Sequence, residues 1–233
     1  MKLAIMQPYL FPYIGYYQLM NAVDEFILYS NIQYTKKGWI NRNRVLVNGK
    51  DEYIILPLKK DSDYLHIKDR YLADTWEVDR KKLINRITES YRKAPNFIEV
   101  FEVIERCILY QDKNLFNFLL WSLQQINEYI NITTKLVTSS TIEINHSLKS
   151  EEKVIAICKA QNATTYINPI GGVGLYHKNG FSNVGIELQF LQAKDVEYNQ
   201  YINEFVPWLS IIDVLMFNSV EEIRLLLKKY ELV

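Results

Sequence analysis

The sequence predicts an α/β protein: a mainly parallel, Rossmann-like sheet with an antiparallel hairpin near residues 44–58 and a helical insert over residues 74–130. Three observations carry that expectation. The first thirty residues alternate apolar run, loop, helical pattern and apolar run. Asn48-Gly49 stands between two apolar runs. A long middle stretch takes helical periodicity before strand, helix and strand resume.

Taken in order, KLAIM (2–6) is a short apolar run ended by Gln7-Pro8, and Tyr16 to Val23 places apolar residues at helical spacing. EFILYS (25–30) is a second buried strand, so the opening reads as a βαβ unit, whose crossover implies parallel pairing. After the loop NIQYTKKGWINRN, the Asn48-Gly49 pair predicts a tight hairpin closing at Pro57. LHIKDRYL (65–72) has the composition of a further strand. In the insert, Asp74 with Glu77 resembles a capping box, Pro95 opens a second helix and Asp112 caps a third. KLVTSS returns to strand, Ser150-Glu151-Glu152 opens a helix, and TYINP (165–169) is a strand running into Gly171-Gly172. IELQFL (186–191) is another strand, and helices begin near Ser210 and Ser219.

A chain of 233 residues that is 48% hydrophobic can bury one sizeable core, and we expect one domain over 1–233. Its 27 basic and 27 acidic side chains cancel, which removes any global field toward nucleic acid. Two widely separated cysteines, Cys107 and Cys158, on helical segments fit a reducing, cytoplasmic compartment, and no apolar run is long enough for membrane insertion. No cluster has metal-ligand spacing. Seventeen tyrosines suit either amphipathic rings presented to a polar ligand or rings at the edge of a core.

MQPYLFPYIGYYQLM, the DEFILY strand, Gln33-Tyr34, GWINRNR, the ILPL strand end, YINPIGG and FVPWLSIIDVLMFN together resemble the WbqC-like protein family. The resemblance runs over nearly the whole chain, with no signature in the helical middle. It implies the setting of bacterial polysaccharide and O-antigen gene clusters. It also implies work on nucleotide-linked sugars, in particular N-acylation or aminoacylation of amino sugars.

Three stretches carry candidate site residues. The loop after the first strand lies where open α/β sheets bind ligands, and exposed backbone N–H groups at the following helix favour phosphate. Tyr13-x-Gly15-Tyr16 falls where the HxGH element of nucleotidyltransferases would sit, with both histidines absent, so any kinship is one of fold. Gln7, Tyr13, Tyr16 and Gln18 are candidate substrate contacts, although Tyr9, Phe11, Tyr13 and Tyr17 equally suit packing of the loop on the sheet. In GWINRNR, alternation puts Arg42 and Arg44 on one face, suited to a diphosphate, and Asn41 with Asn43 on the other; Trp39 or Tyr34 can stack on a ring. The alternative is an ordinary solvated charge run. In YINPIGG, Asn168, Gly171 and Gly172 are candidate contacts.

His177, in the same glycine-rich loop, or Asp24 would manage the proton of a reacting amine. Asp213, among apolar residues, is read as the acid of a Ser210-x-x-Asp213 capping box. The expected activity is transfer of an acyl or aminoacyl group to the amine of a nucleotide-linked amino sugar. The expected partners are that substrate and an activated donor, either a thioester, free or on a carrier protein, or an acid activated with ATP and magnesium. No cofactor is required by the sequence, and an oligomer is compatible with it. The rival readings are an ATP-dependent ligase or nucleotidyltransferase relative, and a non-catalytic sugar-nucleotide binding protein.

Overall fold

A computed structural model of the chain describes residues 1–201 and 204–233. The N-terminal unit is β1 (Lys2–Met6), α1 (Ile14–Asn21) and β2 (Glu25–Leu28). A hairpin follows, β3 (Arg42–Val47) and β4 (Lys50–Ile55), turning on Asn48 and Gly49 with φ of 51° and 77°. Both values lie in the left-handed region that a two-residue hairpin turn demands, which is why Asn-Gly specifies it.

The helical insert is α2 (Trp76–Tyr91), α3 (Phe97–Ile108) and α4 (Leu115–Ile130). Then come β5 (Lys135–Thr138), α5 (Ser150–Ala160), β6 (Thr165–Pro169), α6 (Lys178–Ser182) and β7 (Glu187–Ala193). The chain closes with α7 (Ile211–Phe217), α8 (Val220–Leu226) and β8 (Tyr230–Leu232). Among the described residues, β5-β2-β1-β6-β7-β8 form one six-stranded sheet, parallel except where β8 pairs antiparallel with β7.

Both faces of the sheet are covered, as a parallel sheet requires. Side chains alternate between them: Ala4, Phe26 and Leu28 join the core built with α1 to α4, α7 and α8, while Leu3, Ile5 and Ile27 pack with Val154, Ile157 and Phe181 of α5 and α6. Strand order reverses at β1, with β2 and β5 on one side and β6 and β7 on the other. The crevice beyond the carboxyl ends of β1 and β6 is therefore the topological switch point.

Several local expectations are corrected. Residues 65–72 form no strand. Ile67–Asp69 is a 3₁₀ turn whose Ile67 and Lys68 N–H groups donate to the Ile32 and Ser30 carbonyls, flanked by isolated bridges. Asp74 does not cap α2 but pairs with Lys59 at 3.0 Å, and α3 starts at Phe97 rather than at Pro95. Asn114, not Asp112, is the N-cap of α4; its side chain accepts from Asn117 N–H while Asp112 braces both. Strand β8 escapes the sequence pattern because three residues show no period. Among the described residues, no helix is long and apolar enough to cross a membrane.

Candidate functional site

The loop from Gln7 to Tyr13 leaves β1 at the carboxyl edge and is pinned from three directions. Asn43 on β3 donates from Nδ2 to the Leu10 and Phe11 carbonyls at 2.9 and 2.8 Å. Ser210 Oγ donates to Phe11 O at 2.7 Å, and Ile211 N–H donates to Pro12 O at 2.9 Å. These bonds hold Phe11 at a φ of 40°, which a bulky L-residue adopts only when its surroundings fix it. We expect Asn43→Ala, which removes both bonds from Asn43 and leaves the Leu10 carbonyl unpaired while Phe11 O keeps Ser210, to lower unfolding stability by about 2 kcal/mol, read by urea denaturation.

With the loop fixed, a cleft opens between it, the hairpin and the segment before α7. Tyr9, Tyr13, Trp39, Asn43, Arg44 and Trp208 line a lobe of about 300 Å³. Tyr13 and Trp208, with ring centroids 5.9 Å apart, form the wall to a second lobe of about 260 Å³ bordered by Gln18, Asp195, Glu197 and Tyr198. Gly15 permits this wall, since a Cβ there would lie 2.3 Å from the Tyr13 ring. Trp208 is 56% exposed and sits at a φ of 60°, so a large aromatic is held in the left-handed region at the mouth of the cleft.

Arg44 holds Trp208 there. Its Nη2 donates to Trp208 O at 3.2 Å, its Nη1 pairs with Asp51 at 3.0 Å, and its Nε is buried without a partner among the described residues. Arg42 and Arg44 do share a face, in a ladder where Arg42 lies over Tyr53, Tyr53 stacks on Trp39, and Arg44 lies over Trp39. The two guanidiniums do not make a diphosphate clamp, because that of Arg42 is turned onto the Lys37 and Gly38 carbonyls.

Other expected contacts stand elsewhere. Tyr34 donates to Asn41 Oδ1 at 2.7 Å and Asn41 donates to Leu56 O at 2.9 Å, an internal brace outside the lining of either lobe. Tyr16 is buried in the core with its hydroxyl on Gln7 O, and Gln7 lines neither lobe. Gln18 is buried at the wall of the second lobe; its Nε2 donates to the Leu226 and Lys229 carbonyls while its Oε1 has no partner among the described residues. Asp24 is at the opposite edge of the sheet, accepting from Lys2 N–H at the start of β1, far from any proton transfer at the carboxyl edge.

Asn168, Gly171, Gly172 and His177 gather at the end of β6. Asn168 accepts from Tyr166, a Cβ on Gly172 would strike the Asn168 amide, and Gly171 faces open space. His177 is the N-cap of α6, with Nδ1 3.2 Å from Glu151, whose carboxylate also takes the His177 N–H. None of these four residues lines the aromatic cleft.

Asp213 is not the acid of a capping box, which the chain forms instead at Ser219 and Glu222. It is fully buried and accepts from Tyr91 and Tyr198 hydroxyls at 2.9 and 2.8 Å and from Gln200 Nε2 at 2.6 Å. Burial pushes its carboxyl up to about 6, against the pull of those three bonds. Through Tyr198 it touches the second lobe. Tyr9 and Tyr13 are raised by burial, so both keep their hydroxyl protons at neutral pH and can donate hydrogen bonds. Burial pushes Cys107 and Cys158 up to about 12, which removes them as nucleophiles. No group of His, Cys, Asp and Glu suited to a metal occurs among the described residues.

The sequence reading missed Tyr9, Asn43, Trp208, Tyr198 and the acids Asp195 and Glu197 as cleft residues. A tryptophan between Pro207 and a helix cap, in VPWLS, was the available signal; the rest depends on how the segment after β7 folds back.

The uncharacterized protein Rv1507c of Mycobacterium tuberculosis is 28% identical over 223 residues, covering 93% of each chain. No solved structure matches. The profile of the WbqC-like protein family matches residues 7–225, from the pinned loop through both lobes of the cleft to α8, and the chain belongs to that family.

Proposed function

We propose that the protein transfers an acyl or aminoacyl group to the amine of a nucleotide-linked amino sugar in bacterial surface polysaccharide synthesis. The observation that carries this reading is Trp208, an exposed aromatic at a left-handed φ whose carbonyl is bonded by Arg44 and whose ring packs against Tyr13 in the wall of a cleft it shares with Trp39. Aromatic rings beside a guanidinium suit a base and a phosphate. Beyond the Tyr13–Trp208 wall, the unpaired Gln18 Oε1 and the carboxylates of Asp195 and Glu197 are acceptors suited to an amino group.

The uncharged amine attacks the donor carbonyl, the C–N bond forms and the thiolate leaves. The amine proton passes to the Tyr198 oxygen as the Tyr198 hydroxyl proton moves to Asp213 Oδ1, 2.8 Å away. Most of the rate would come from holding amine and carbonyl together. His177 and Asp24 have no part in this route, since neither lines the cleft.

The test is mass spectrometry of nucleotide amino sugars incubated with the protein and acyl thioesters, with and without ATP and magnesium. An N-acylated product from the thioester alone is the expected result. Product only with ATP would make it a ligase, and tight binding with neither donor turned over would make it a binding protein.

A further inference from the structure

The lobe lined by Tyr9, Tyr13, Trp39, Asn43, Arg44 and Trp208 is short of hydrogen-bond acceptors. Its main-chain carbonyls are bonded back into the fold. Trp39 O accepts from Leu10 N–H at 3.1 Å, Tyr13 O from Tyr16 N–H at 3.0 Å, and Arg44 O from Ser210 N–H at 2.8 Å. Trp208 O takes Arg44 Nη2, and Pro12 O takes Ile211 N–H. The Asn43 amide is spent at both ends, since Oδ1 accepts from Arg44 N–H at 2.8 Å and Nδ2 holds the Leu10 and Phe11 carbonyls.

Donors remain. With Nη1 of Arg44 on Asp51 and Nη2 on Trp208 O, its Nε–H is buried with no partner among the described residues. A guanidinium N–H cannot accept, so the ligand atom that meets it must be an acceptor. The Tyr9 and Tyr13 hydroxyls keep their protons and can both give and take a hydrogen bond. Free acceptors gather instead beyond the Tyr13–Trp208 wall, at Gln18 Oε1, Asp195 and Glu197.

That imbalance sorts the rings that can enter the first lobe. Uracil and thymine present two carbonyl oxygens and a single imide N–H, which one tyrosine oxygen satisfies. Cytosine, adenine and guanine carry an exocyclic amino group as well, whose donors cannot face Arg44 Nε–H and find too few acceptors elsewhere in the lobe. Resting on the nucleotide-sugar reading of the cleft, we propose that this lobe selects the base: it takes uracil or thymine, with Arg44 Nε–H on a ring carbonyl, and disfavours bases that bear an amino group.

Titration calorimetry of UDP and CDP, which differ in the base alone, tests it. UDP is expected to bind about 10-fold more tightly or better, the effect of leaving one buried polar group unsatisfied, with dTDP matching UDP while ADP and GDP fall with CDP. CDP, ADP or GDP binding as tightly as UDP overturns the proposal and leaves the nucleotide-sugar reading standing. Binding of no nucleoside diphosphate removes that reading, and this inference with it. Arg44→Gln places an acceptor where Arg44 offers only donors, so the ratio of UDP to CDP affinity should fall toward one even as both weaken; an unchanged ratio overturns the role of Arg44. Should the variant bind neither ligand, a crystal structure of the wild-type chain with UDP decides: a uracil oxygen within hydrogen-bond distance of Arg44 Nε is expected, and a base lying outside the lobe overturns the proposal.

Discussion

Asp213→Ala is expected to destabilise the fold by about 3 kcal/mol or more, because it leaves the donors of Tyr91, Tyr198 and Gln200 unpaired in a dry interior. The loss spreads beyond one residue. Tyr91 also accepts from Leu46 N–H on the hairpin, and Gln200 is bonded at both ends to Val206, so the carboxylate ties α2, the hairpin and the segment after β7 to α7. Urea denaturation checks the magnitude. Asp213→Asn keeps an acceptor and should lose less.

The same pair of proteins reads the pH dependence. The folded chain holds the Asp213 proton more tightly than the unfolded chain, since this carboxyl is raised from 3.8 to about 6. Its contribution to stability is therefore smallest above pH 6 and grows as pH falls from about 6 to about 4. Melting temperatures across that window should show the slope in the wild type and not in Asp213→Asn.

Replacing Trp39 and Trp208 together by Ala should weaken nucleotide-sugar binding by about 100-fold, the loss of roughly two stacking contacts. Titration calorimetry measures it. Arg44→Lys should also weaken binding, because a lysine lacks the fork that joins Asp51 to the Trp208 carbonyl. Arg42→Ala should lose much less, its guanidinium being turned onto the Lys37 and Gly38 carbonyls. Equal losses for Arg42 and Arg44 would restore the paired clamp that alternation along β3 suggests and remove the reading in which Arg44 acts alone.

The sequence by itself determined the elements whose signal is local. The Asn48-Gly49 turn, the apolar strands β1, β2 and β6 and the three helices of the insert follow from period and turn chemistry, which depend on neighbours a few residues away. It also determined that the loop after β1 lies at the ligand edge, because a βαβ opening leaves few other arrangements. Only the tertiary structure decided which polar groups that edge offers. Arg42 and Arg44 are equivalent by alternation, yet one is spent on the loop beneath it and the other holds Trp208, 164 residues away. Asp213 matches a capping box over four residues, yet its partners come from Tyr91, 122 residues earlier, and from the returning segment at Tyr198 and Gln200. A hydrogen bond or a desolvation cost depends on which distant chain arrives next to a side chain, and that information is carried by the packing of the whole chain.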